Sequence, residues 1–451
     1  AIADFDNNGL RDIAYTTLSS GGLQVLLHFP GGHFEAINIP ALHGTSSVYP
    51  LASGDIDGDA RADLVIFDNA RWHSSDRVVL MRYDGDAFIS SRHSTGIFVS
   101  KDIELIDFNG DGKLDIVCAS DVGPVEVLEG DGKGSFNIRL LPTDDVNYVT
   151  FGLSDLNGDG KLDLVGGTYD NELVTYLSNG TSYIQKRYQV TSQIADIVIE
   201  DISGDQIPDI IAASFASASL YNYTNDGHGQ LIPSNIALPD KAWQGLDAAD
   251  YDNDGRSDII VGAFGVKGIT LMKNLGASRF QDILSSGGDT DYVVDIKFDD
   301  LDVNGTQEII AVSAHKRLDI YTLSGASYIR TEARILGILP TEGLIVDLDL
   351  DGNNDLIAGS LHAKLISVYY GNGSGTFAGR RDFSTDVEIG AIEVGDFNGD
   401  GYPDIAWSTH PSAQPSRVSL IMSTPHAFPQ DRSTKIPSHP AYRLEPLHPH
   451  K

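Results

Sequence analysis

Residues 107–117 read DFNGDGKLDIV, and residues 155–165 repeat the phrase almost letter for letter as DLNGDGKLDLV. The same pattern stands at 4–14 as DFDNNGLRDIA and returns at 55–65 as DIDGDARADLV. It continues as DISGDQIPDII (201–211), DYDNDGRSDII (250–260) and DLDVNGTQEII (300–310). DLDLDGNNDLI (347–357) and DFNGDGYPDIA (396–406) complete nine copies, whose starts lie 46 to 52 residues apart. A fixed period of this length marks a repeat architecture rather than a string of unrelated domains.

Each copy has the same surroundings. A short apolar run precedes the acidic loop, and a β-rich run ending in small residues follows it, as in DIVCAS, DLVGGT and DIIAAS. An alternating segment comes next, then a Gly/Asn turn and an aromatic: Phe34, Phe88, Phe136, Tyr183, Phe280, Tyr328, Phe377 and Phe428, with Leu231 as the exception. Four short runs split by turn residues predict four antiparallel strands per unit, and helical periodicity is missing. The expected fold is all-β, a β-propeller of four-stranded antiparallel blades with nine repeat units. A ring of seven or eight blades with spare units packed outside is the alternative. Residues 1–430 read as one propeller, and 431–451 as a Pro/His-rich C-terminal tail, a linker or end strap.

The loops carry the chemistry. Oxygen-bearing side chains fall at positions one, three, five and nine, usually with Gly at six. In order they are Asp4, Asp6, Asn8 and Asp12; Asp55, Asp57, Asp59 and Asp63; Asp107, Asn109, Asp111 and Asp115. The fourth to sixth sets are Asp155, Asn157, Asp159 and Asp163; Asp201, Ser203, Asp205 and Asp209; Asp250, Asp252, Asp254 and Asp258. The last three are Asp300, Asp302, Asn304 and Glu308; Asp347, Asp349, Asp351 and Asp355; Asp396, Asn398, Asp400 and Asp404. Alternate residues of a tight loop point inward together, and hard oxygen ligands without His or Cys select Ca²⁺ or Mg²⁺. Ca²⁺ is favoured, in several ions and up to about one per repeat, because three or four carboxylates converge without strict octahedral geometry. An EF-hand is excluded: its position twelve is a bidentate Glu, whereas here it is Cys118 or Gly166 within a strand. The plain alternative is that Asp, Asn and Gly merely make turns, which nine matching copies leave little room for.

Composition agrees. The 451 residues hold 31 Lys and Arg against 64 Asp and Glu, a net charge of −33, and 30 of those acids sit at the ligand positions. Nine divalent ions would bring the charge to −15. The acidic balance argues against nucleic acid or an anionic membrane as partner. No apolar run is long enough to span a bilayer, and a single cysteine, Cys118, precludes an intrachain disulfide. The opening AIADFDNNG reads as the inside of a structural unit, so a processed or trimmed product is expected, an export signal being one candidate for the missing beginning.

These residues resemble the FG-GAP repeats of integrin α-subunit heads and the related VCBS repeats of secreted microbial proteins. Phe151-Gly152 and 262–264 (GAF) are similar to the motif that names the family. The resemblance implies a propeller with a calcium loop between the first two strands of each blade. It also implies a secreted or cell-surface protein that binds a glycan or an extracellular protein, as a lectin or adhesion module does. A polysaccharide lyase on a calcium-binding propeller is the alternative, and a scaffold module is a third. No catalytic motif appears among the thirteen scattered His residues, so catalysis is not expected. Trp72, Trp243 and Trp407 read as packing residues and Cys118 as a buried structural one. The variable stretches 69–73 (NARWH, with Trp72 and His73) and 410–417 (HPSAQPSR) are candidate recognition loops. Sequons at Asn179, Asn222, Asn304 and Asn372 fit a secreted glycoprotein, although Asn304 reads better as a cation ligand.

Overall fold

A computed structural model of the chain describes residues 1–451 apart from 18–21, 30–32, 38, 40–46, 70–76, 85–86, 95–99, 121–124, 141–147, 179–182, 216, 239–240, 265–267, 277–278, 287–292, 302, 314–316, 325–326, 336–339, 361–363, 386–387, 398–399, 410–417, 422, 424–441 and 445–451. The described strands form nine antiparallel sheets in which sequential strands are neighbours. Blade four shows the pattern: Tyr148–Ser154, Asp163–Thr168, Glu172–Ser178 and Tyr183–Gln189 pair in that order. Its second strand, DLVGGT, is buried at every residue, and its third at all but one. Its fourth strand alternates between half-buried and exposed. The continuous apolar runs therefore belong to strands covered on both faces, and the polar alternation belongs to the blade's outer edge.

What covers those faces is the next blade. Nine apolar clusters exist among the described residues, and each joins two consecutive blades. The expected aromatics supply them. Phe88 packs between blades one and two, Tyr328 between six and seven, and Phe377 between seven and eight. Leu231 replaces the aromatic in blade five and is just as buried. An open row of nine blades would have eight such interfaces. The ninth joins the two ends: Phe397 and Ala406 of blade nine meet Ile13 of blade one, with Tyr15, Leu26 and Phe34 around them. The ring is a nine-bladed propeller, closed without spare units.

In most neighbouring blades the innermost strands touch one another, so the first strands line the axis. Carboxylates staple some of these strands together: Asp196 accepts from Leu246 N at 3.0 Å, and Asp247 from Phe298 N at 2.8 Å. Blade nine has three described strands, and the outer aromatic expected at Phe428 lies outside the described residues. Within 431–451, Tyr442–Leu444 forms a short strand that pairs antiparallel with Pro340–Val346, the innermost strand of blade eight. Cys118 is buried between blades two and three. Trp407 is half-buried against the core between blades eight and nine.

Candidate metal centres

Every acidic loop connects the first strand of a blade to the second, which places all nine at one end of the ring. Consecutive loops touch: Ala62 N donates to Asp4 O, Leu162 N to Phe108 O, and Asn354 N to Leu301 O, at 3.0–3.3 Å. Position one acts as a cap. Asp4 accepts from Asn8 N and Gly9 N at 3.0 and 2.8 Å, and Asp155 accepts from Asp159 N and Gly160 N at 3.1 and 2.7 Å. The same pair of bonds recurs at Asp55, Asp107, Asp201, Asp250, Asp300, Asp347 and Asp396. The turn needs a left-handed residue at position six. That residue is Gly in seven loops, and Ala60 and Gln206 adopt the same conformation at φ 68° and 66°.

Position nine is different in kind. Asp12, Asp115, Asp163, Asp258, Asp355, Asp404 and Glu308 have no exposed surface, and Asp63 and Asp209 almost none. In eight loops this carboxylate accepts the backbone N–H of position two, as from Leu156 to Asp163 at 2.9 Å. In seven blades its other oxygen accepts an N–H from the third strand or its end, as from Ser178 at 2.6 Å. Blade six keeps only the third-strand bond, from Asn274 N at 2.7 Å, and Asp258 Oδ2 is buried without a partner.

Burial pushes these carboxyls up against their backbone donors. Asp12, Asp115 and Asp163 rise to about 6, Asp63 and Asp258 to about 7, and Asp355 to about 8. Neighbouring acids add to the shift, as Asp6 and Asp4 do at Asp12. At position three, burial carries Asp349 to about 6. In four loops three carboxylates offer oxygens within 4.8 Å of one another: Asp4, Asp6 and Asp12; Asp55, Asp57 and Asp63; Asp250, Asp252 and Asp254; Asp347, Asp349 and Asp351. A hard divalent cation fits a donor set that is all oxygen, as these are.

In the remaining loops the expected oxygens share a turn, and no three carboxylates converge among the described residues. Asn109 and Asn157 stand at position three, where Asn157 Nδ2 turns to Ser178 O at 3.0 Å. Ser203 Oγ is buried without a partner. Asp302 and Asn398 lie outside the described residues, as do Trp72, His73 and 410–417; Asn69 is described as the end of a strand. Asn222 is buried on its strand, which removes it as a glycan acceptor, while Asn304 and Asn372 are exposed. The deep burial of position nine was not read from sequence. Its only trace there is that position nine begins the buried strand.

Two outcomes follow from the ninth carboxylate. Asp163→Ala strands the N–H groups of Leu156 and Ser178 and should cost about 2–5 kcal/mol in urea unfolding of the ion-free protein. Asp159→Ala, at an exposed position, should cost less than about 1 kcal/mol. The second outcome concerns pH. An acid whose folded pKa is raised binds more protons folded than unfolded, so stability falls as pH climbs from the ordinary 3.8 towards about 8. Melting of chelator-treated protein should therefore drop between pH 5 and 8, read by calorimetry.

Among the described residues no helix is long and apolar enough to cross a membrane. No curated protein matches the chain. Solved structures are similar to the chain at low identity. Dihydro-heme d1 dehydrogenase NirN in complex with DHE superposes with a TM-score of 0.50 at 12 % identity, covering 83 % of this chain and 73 % of that one. Sqt1 of Saccharomyces cerevisiae also gives 0.50 at 12 %, covering 79 % and 91 %. BBS1N, solved in complex with ARL6DN, gives 0.44 at 13 %, covering 86 % and 96 %. The FG-GAP-like repeat matches residues 4–66, 107–166, 201–261 and 347–407, more than half of the sequence. With the nine loops and nine blades described above, the chain belongs to the FG-GAP-like repeat family.

Proposed function

We propose that the protein is a calcium-stabilised recognition propeller of the cell exterior, which binds a partner through surfaces away from its cation loops. The observation that carries this reading is the uniformity of the loops. In all nine, position one caps the turn's own backbone, and position nine is buried beneath it. Ions held there brace a scaffold, whereas a metal used in catalysis keeps an open position and a locally distinct set of neighbours. Recognition then falls to what differs between blades.

A protein partner is favoured over a glycan by the exposed apolar surface. Ile89, Ile138, Ile184 and Ile232 stand 41–59 % exposed on the outermost strands of blades two to five. A sugar-binding face uses exposed aromatics, and Tyr169 is the large aromatic that stands out to solvent among the described residues. The test applies pure, calcium-loaded protein to arrays of extracellular proteins and of glycans, beside an assay for unsaturated uronate products. Saturable capture of a protein, weakened by Ile184→Asp with Ile232→Asp at unchanged melting temperature, is the expected result. Glycosidic cleavage by the pure protein would replace this reading with that of an enzyme.

A further inference from the structure

The blade-six loop, DYDNDGRSD from 250 to 258, is as rich in acid as any, yet a side chain from elsewhere in the blade already sits in it. Lys273 lies on Ile269–Asn274, the third strand, one residue before the Asn274 N–H that Asp258 accepts. Its ammonium donates to Asp252 Oδ2 in a short ion pair and lies 3.1 Å from Asp254 Oδ2. It also stands 5.8 Å from the centroid of the Tyr251 ring, the residue at position two of the loop. Arg256 closes the other side, pairing with Asp254 and donating Nε–H to Asn274 O at 3.0 Å. The wholly buried Asp258 faces this cluster with one oxygen unpartnered.

Strand register identifies the corresponding place in other blades. The residue one before the third-strand donor to position nine is Leu27, Glu129, Leu177, Thr224 and Tyr370 in blades one, three, four, five and eight. None of these is a cation. In blade two the pairing of Tyr83 with Phe88 matches that of Asn274 with Phe280, so Arg82 occupies the same place as Lys273. Arg82 Nη1 donates to Asp57 Oδ2 at 2.9 Å. Gly134 of blade three roofs it, where a Cβ would come within 2.9 Å of Nη1.

We propose that the ring has two kinds of acidic loop, and that in blade six Lys273 is the resident cation, filling the place a divalent ion would take in loops one and eight. Arg82 does the same, more partially, in blade two. The positive charge is covalently supplied, so it neutralises Asp252 and Asp254 at no cost in ion binding and at any calcium concentration. Loop six is thereby held in shape when calcium is scarce, and loops one and eight become the calcium-responsive part of the ring. This rests on the calcium reading for loops one and eight only; the role of Lys273 stands on the ion pair itself.

The experiment has an ion-free arm and a terbium arm, both on the full chain. In chelator, Lys273→Met leaves Asp252 without its cation and Asp254 with Arg256 alone, and the melting temperature should fall by about 2 °C or more. Lys273→Arg, which keeps the charge, should restore it. In the second arm Tb³⁺ replaces Ca²⁺, and native mass spectrometry counts the ions. Lys273→Met should hold one ion more than the unsubstituted protein. That extra ion should give emission sensitised by the adjacent tyrosine, lost again on adding Tyr251→Phe. Unchanged ion-free melting in Lys273→Met would overturn the proposal, as would Tyr251-dependent terbium emission from the unsubstituted protein. Should no loop take an ion in any variant, the calcium reading fails, and the ion-free arm alone decides for or against Lys273.

Discussion

The structure depends on one residue repeated nine times, a carboxylate with almost no access to solvent, which in at least six blades ties the start of its own loop to the third strand of its blade. Asp163 receives Leu156 N on one oxygen and Ser178 N on the other, so one side chain locks three segments at once. Backbone donors buried at a blade's end need partners, and no regular ladder reaches them there. The carboxylate supplies both oxygens with one residue. The apolar interfaces then stack blades whose ends are already fixed, and the last of them closes the ring through Ile13 and Phe397.

That arrangement sets the electrostatic problem. Burial beside further acids disfavours the charged form of these carboxylates, raising Asp12 to about 6 and Asp355 to about 8. Three remedies exist in principle: a proton, a metal ion or a basic side chain. Loops one and eight each bring three carboxylates within 4.8 Å of one another, whereas loop six contains Lys273 and loop two is approached by Arg82. On the proposal above, one repeat carries more than one answer to the same charge, and the differences between blades set how the ring responds to its surroundings.

Much of this was legible in the sequence. The nine motif copies announce the blades, and among the described residues the aromatic after the third strand marks the inter-blade cores, even where Leu231 stands in. Local patterns determine local structure, so they could be read locally. Closure could not, because Ile13 and Phe397 meet only when the whole chain has gone round. The separate duties of the loop positions were also hidden: spacing puts Asp155 and Asp163 in one ligand set, while burial makes the first a cap and the second a strut. Lys273 escaped notice because it lies outside the motif and reaches the loop only through strand register. Asn222 reads as a sequon, yet its strand places it inward.

The central claim is that buried acid in this ring is balanced by cations, supplied by solvent in some blades and by the chain in others. Anomalous diffraction from crystals grown in Ca²⁺ tests it most directly, since calcium's signal locates each ion without reference to the surrounding protein. The account predicts peaks among Asp4, Asp6 and Asp12 and among Asp347, Asp349 and Asp351, with Lys273 and no peak between Asp252 and Asp254. Loops one and eight without calcium, their carboxylates in the same positions, would contradict it.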